Sequence, residues 1–143
     1  MLSLTCQNAI KAVVYLASKI EDDEKISILK VAENIGASEH SVGKLLQTLV
    51  KATVIHSSKG PTGGFYMTAL QLKQPLMNIV QAIDGPELFK RCGLGLSQCA
   101  STHPCPIHND YKIVRDHFEK LCLNKKIADL CSPVNAGLSF LLG

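Results

Sequence analysis

Two short amphipathic stretches that meet at a three-residue turn constrain this chain more than any other feature. Ser27 is placed to cap a helix with Ile28, Leu29, Val31, Ala32 and Ile35 on its buried side, and Gly36 stops that helix by taking a left-handed conformation. Ser38 then caps the next. That second helix, over residues 39–51, buries Val42, Leu45, Leu46, Leu49 and Val50 and leaves His40, Ser41, Lys44, Gln47 and Thr48 on the other face. Two short helices joined by "GAS" make a helix-turn-helix.

After it, "TVIHSS" and "FYMT" are β-prone runs separated by "KGPTGG", whose Gly and Pro supply turn geometry. The pair reads as a hairpin wing. The expected fold is therefore mainly α with a small β-hairpin: a winged helix-turn-helix, in which the second helix enters a major groove and the wing tip reaches flanking backbone. Charge agrees with this. Net charge is only +3, yet residues 40–83 hold Lys44, Lys51, Lys59 and Lys73 and no Asp or Glu. Such a stretch can face phosphates, although a solvated surface has the same composition.

The rest of the chain frames this unit. Residues 4–20 place Ile10, Val13, Val14, Ala17 and Ile20 at helical spacing, and "EDDE" ends that helix in a solvated loop. Pro75 opens another helix through Ile83, closed by "DGP". Asn109 is placed to cap a later helix in which Ile113, Val114, His117, Phe118, Leu121 and Cys122 share a side too apolar for a lone surface helix. A partner subunit is the expected cover. The organisation expected is a DNA-binding unit over residues 1–83, a cysteine-rich loop over 84–108, and a dimerisation helix with a C-terminal segment over 109–143.

The N-terminus lacks a basic leader and a small-residue cleavage site, and its apolar runs are too short to cross a bilayer, so a cytoplasmic location without membrane contact is expected. In a reducing compartment, six cysteines point to thiol or metal chemistry before disulfides. Cys6, Cys122 and Cys131 sit beside apolar neighbours and read as small core residues. "CGLGLSQCASTHPCPIH" differs. Its ligand spacing is C-x6-C-x5-C-x2-H, through Cys92, Cys99, Cys105 and His108. The C-x2-C knuckles of structural zinc sites are absent, and a wide Gly- and Pro-rich loop of thiolates suits an iron-sulfur cluster, which accepts histidine as a minority ligand. His103 competes with His108 as the nitrogen donor, and redox-active thiols without metal are the other reading. No Ser/His/Asp set, phosphate loop or carboxylate pair supports an enzyme.

Taken in order, "CQNAIKAVVYLA", "ISILKVAENIGASEHSVGKLLQTLVKATVI", "SSKGPTGGFYMT" and "CGLGLSQCASTHPCPIH" resemble the first helix, helix-turn-helix, wing and cluster loop of the Rrf2 family of bacterial winged-helix regulators, which includes iron-sulfur and nitric-oxide sensors. The resemblance implies a homodimer on a palindromic operator, with a dimer contact over residues 109–123 formed by Ile113, Val114, His117, Phe118 and Leu121. It matches Cys92, Cys99 and Cys105 to the cluster cysteines, and His108 to the histidine of [2Fe-2S] members. Where [4Fe-4S] members use an acidic ligand from the first helix of the other subunit, this chain has Asn8, which favours [2Fe-2S]. The candidate DNA contacts are Ser38, His40, Ser41, Lys44 and Gln47 from the recognition helix, and Lys59, Thr62 and Gly63 at the wing tip. Lys59 replaces an arginine frequent in the family's wing, Thr62 a glycine, and Gly43 a glutamate that some members use to discriminate sequence. Two further readings are a cluster-free thiol sensor of the same family and a zinc-stabilised winged-helix module that binds protein.

Overall fold

A computed structural model describes residues 1–143. Six helices and one hairpin follow in the order α1 (Leu4–Ala17), α2 (Ile28–Ile35), α3 (Glu39–Lys51), β1 (His56–Ser58), β2 (Gly64–Tyr66), α4 (Leu76–Asp84), α5 (His108–Asn124) and α6 (Ile127–Asn135), with 3-10 turns at Ala69–Lys73 and Pro86–Phe89. The local signals explain the reading unit. Ser27 Oγ accepts from the Lys30 amide at 3.2 Å, and Ser38 Oγ from the Ser41 amide at 3.3 Å. Gly36 adopts φ +67° between α2 and α3, so the turn closes where a left-handed residue was needed.

The wing is shorter than its β-prone sequence. Thr53 takes φ 59°, which places residues 53–55 in a turn that sinks Val54 and Ile55 into the core, and pairing begins only at His56. His56, Ser57 and Ser58 then oppose Tyr66, Phe65 and Gly64 in antiparallel register. Phe65 also exchanges both backbone hydrogen bonds with Ile26, at 2.8 and 2.9 Å, and anchors the hairpin to the α2 approach. At the tip a Cβ on Gly63 would stand 2.2 Å from the Ser58 carbonyl oxygen, so no larger residue fits that turn.

One buried cluster runs through the molecule. It joins Cys6, Ala9, Val13 and Leu16 of α1 to Leu45, Leu46 and Leu49 of α3, Ile79 and Val80 of α4, and Cys122, Ile127 and Cys131 near the C-terminus. Asp84, at the end of α4, accepts from the Ser3 amide at 3.0 Å and from its hydroxyl, which ties α4 to the start of α1. The last segment, unassigned on sequence, returns as α6. Lys125 carbonyl accepts from the Leu76 amide at 2.7 Å, and the Ile127 amide donates to Gln74 carbonyl at 2.9 Å, so the far end of α5 is stitched to the start of α4.

Three expectations need correction. First, α1 stops at Ala17, where Ser18 caps it, and Ile20 lies in the following turns. Second, Asn109 does not cap α5: the His108 amide bonds back to Cys105 carbonyl at 3.0 Å, so the helix starts directly from the last cysteine turn with Ile107 at the cap. Third, Phe118 turns inward toward Phe89, their ring centroids 5.5 Å apart, and Cys122 is fully buried. At about 100° per residue these two sit on the inner side of α5, whereas Ile113, Val114, His117 and Leu121 share the outer one.

Candidate thiol site and nucleic-acid interface

Residues 92–107 form turns without regular structure, closed at one end by the 3-10 turn and at the other by α5, which His108 opens. Two contacts shape the loop. Gly93 packs flat on Tyr111, where a Cβ would approach the ring to 2.8 Å, and the Gly95 amide donates to Cys92 carbonyl at 3.0 Å. Cys92, Cys105 and His108 are buried and Cys99 is half-buried.

The four expected donors come together as two pairs. Cys92 and Cys105 face each other closely enough that each perturbs the other's ionisation. Backbone amides of Leu94 and Leu96 aim at the Cys92 sulfur and lower its pKa, whereas burial raises that of Cys105. The second pair is Cys99 Sγ and His108 Nδ1, 3.4 Å apart. No three His, Cys, Asp or Glu side chains converge at one point as a single metal ion requires. His103 is exposed.

Beneath the pairs lies a residue that spacing did not single out. Arg115 Nη1 donates to Cys99 Sγ at 3.3 Å and to Arg91 carbonyl at 2.9 Å. A signal was present: Arg115 stands seven residues after His108, two turns along the same face, and Cys122 follows seven later.

The other face carries the DNA candidates. Ser38, His40, Ser41, Lys44 and Gln47 are exposed along α3, and Lys59 and Thr62 are exposed at the wing tip, with Gly63 half-covered. Glu39, not singled out on sequence, joins His40, Gly43, Lys44 and Gln47 along an open groove of about 590 Å³ that Ile28 also lines. A Cβ on Gly43 would stand 3.5 Å from Ile28 Cδ1.

A helix-turn-helix with an adjoining wing, a polar second helix and a basic wing tip define the winged-helix class of transcriptional regulators. The profile of the Rrf2 family, described as iron-dependent transcriptional regulators, matches residues 2–133, and the chain belongs to that family. It is 24% identical over 132 residues to a protein of Aquifex aeolicus (strain VF5) described as an HTH-type transcriptional regulator, covering 91% of this chain and 90% of that one. Among solved structures it shares its fold with CymR (YrzC), the global cysteine regulator of B. subtilis, at TM-score 0.72 and 18% identity over 92% of this chain and 96% of that one. T. potens IscR gives 0.73 and 16%, covering 97% and 91% respectively. The chain is thus a transcriptional regulator and not an enzyme. No helix is long and apolar enough to cross a membrane.

Proposed function

We propose that this regulator binds a palindromic operator as a homodimer, and that an iron-sulfur cluster of the [2Fe-2S] type, held by Cys92, Cys99, Cys105 and His108, controls its affinity for DNA. The observation that carries this reading is the pairing of the donors: Cys92 with Cys105, and Cys99 with His108. Each iron of a [2Fe-2S] cluster takes two protein ligands, and soft thiolates with one imidazole suit iron. Such an arrangement disfavours a lone zinc ion, which needs three or four donors at one point.

When bound, the cluster supplies a redox-sensitive centre. The chain's own residues do the rest. His108 opens α5, and three cysteines sit on the loop before it, so constraining the four side chains together fixes residues 92–108 against the helix whose outer face is apolar. Releasing them frees the loop and shifts α5 relative to its counterpart, which displaces two recognition helices that must meet successive major grooves. His40, Ser41, Lys44 and Gln47 read the groove in this scheme, and Lys59, Thr62 and Gly63 approach the backbone.

A second reading has one observation in its favour: a thiol with a lowered pKa, Cys92, faces another, Cys105, as a redox-sensing thiol pair requires. Ultraviolet-visible spectra with iron and sulfide assays on anaerobically purified protein separate the two. About two irons and two sulfides per chain with visible bands, weakened or shifted in His108→Ala, are the expected result. A protein that stays colourless after reconstitution removes the cluster reading and leaves the thiol pair.

A further inference from the structure

We infer that Arg115 is the positioning residue of the thiol site: it staples the ligand loop to α5 and supplies the fixed positive charge beside which an anionic, sulfur-ligated group sits. This rests on the cluster reading above.

The argument begins with an unbalanced charge. Arg115 is only 8% exposed, and a guanidinium does not shed its proton, so its charge is carried into the interior. Buried charges are normally paired, because an unpaired one forfeits its hydration without return. Arg115 makes no salt bridge: Asp116, whose pKa is lowered first by its bond to Lys112 and less by the charge of Arg115, is held by that lysine. The ion pairs of the chain are Lys30 with Glu24, Lys90 with Glu87, and Lys112 with Asp116, all at the surface. Its contacts are instead the Arg91 carbonyl and the Cys99 sulfur. In addition, Arg115 Nε is buried with no hydrogen-bond partner at all.

These features have one common explanation in the thiol site. A spare buried N–H next to sulfur, on a residue without a salt bridge, matches a site built to hold negative charge on sulfur. The contacts also form a closed circuit. Arg91 precedes Cys92 at the start of the loop, Cys99 lies at its middle, His108 at its end, and one guanidinium holds the first two while Cys99 meets the third. Arg115 thereby keeps Cys99 within reach of His108.

The test uses the full-length chain with Arg115→Met and Arg115→Lys, read by the reduction midpoint of the reconstituted protein and by amide hydrogen exchange over residues 92–108 in the metal-free protein. A positive charge favours the electron-rich state, so Arg115→Met should lower the midpoint by about 59 mV, a tenfold change in a one-electron equilibrium. Loop exchange should quicken by about tenfold. Arg115→Lys keeps the charge but lacks the rigid planar group that fixes Nη1 between the Arg91 carbonyl and the Cys99 sulfur, so it should retain most of the midpoint and lose the protection. An Arg115→Met protein with unchanged midpoint and unchanged exchange overturns the inference while leaving the cluster reading intact. A wild-type protein that takes up no cluster overturns that reading and the charge role with it, and the exchange arm then decides the staple alone.

Discussion

Cys6 and Cys122 are the least accessible thiols in the chain, both fully buried. Burial, reinforced by Asp84, pushes the Cys6 thiol from near 9.0 up to about 12, and burial takes Cys122 to about 11. Each is therefore neutral in the folded state at a pH where the unfolded chain has already released its proton. Folding is favoured below the unfolded value and loses that contribution as pH rises from about 9 through the folded values. Urea midpoints measured from about pH 8 to about pH 10.5 should fall, and the double variant Cys6→Ala, Cys122→Ala should start lower and fall less steeply. Equal slopes would show that these thiols do not titrate differently on folding. At this scale much was legible in advance. The assignment of Cys6, Cys122 and Cys131 to the core came from their apolar neighbours and holds, whereas Arg115 was missed because an arginine on an amphipathic helix reads as a solvent-facing charge until its helical phase relative to His108 is counted.

Among the elements, α5 carries two faces with different tasks. His108, Tyr111, Arg115, Phe118 and Cys122 turn toward the loop and core, while Ile113, Val114 and Leu121 stay exposed on the outer side at 60%, 54% and 47%. In the homodimer proposed above, this strip meets its own copy across a twofold axis. Val114→Glu should therefore give a monomer in sedimentation velocity while keeping wild-type helicity, since Val114 has little to lose inside its own chain. A variant that remains dimeric places the contact elsewhere. The bounds of α2 and α3 were readable because their caps are local in sequence, although Leu29, expected on the buried side of α2, is 51% exposed. The start of α5 was not: the capping preference of Asn109 was overridden by the turn that Cys105 imposes. Helix α6 has Lys126 where a Ser, Thr, Asn or Asp cap would have marked it; Asp129 accepts from the Lys126 amide at 2.9 Å, and long-range hydrogen bonds to Gln74 and Leu76 set the helix's position.

For the whole molecule, α3 and the wing adjoin, with Gln47 and Lys51 lining one hollow with Lys59, and residues 40–83 carry four lysines and no Asp or Glu. Phosphate contacts release counterions, so the slope of log affinity against log salt counts them. Replacing Lys59 with alanine should reduce that slope by about 1 per protomer, about 2 for a dimer on a palindrome, with similar loss on any duplex. An unchanged slope would remove Lys59 from the interface. The overall architecture was legible because helix-turn-helix and wing are contiguous segments with local punctuation. How the loop, α5 and the core meet was not, because those contacts join residues far apart in the chain.

The hydrogen bonds that stitch Lys125 and Ile127 to Gln74 and Leu76 make α5 a crank with one end fastened to the reading unit. Its other end is His108, seventeen residues and about 25 Å away. A tilt of about 5° about the fastened end sweeps the His108 end through about 2 Å. Helix α5 also packs on α4, which in turn packs on α1 and α3. In the function proposed above, a small chemical event at the four side chains acts through this lever, and the stiffness of that short stitch, more than the reach of the loop, sets how much of the motion arrives at the DNA.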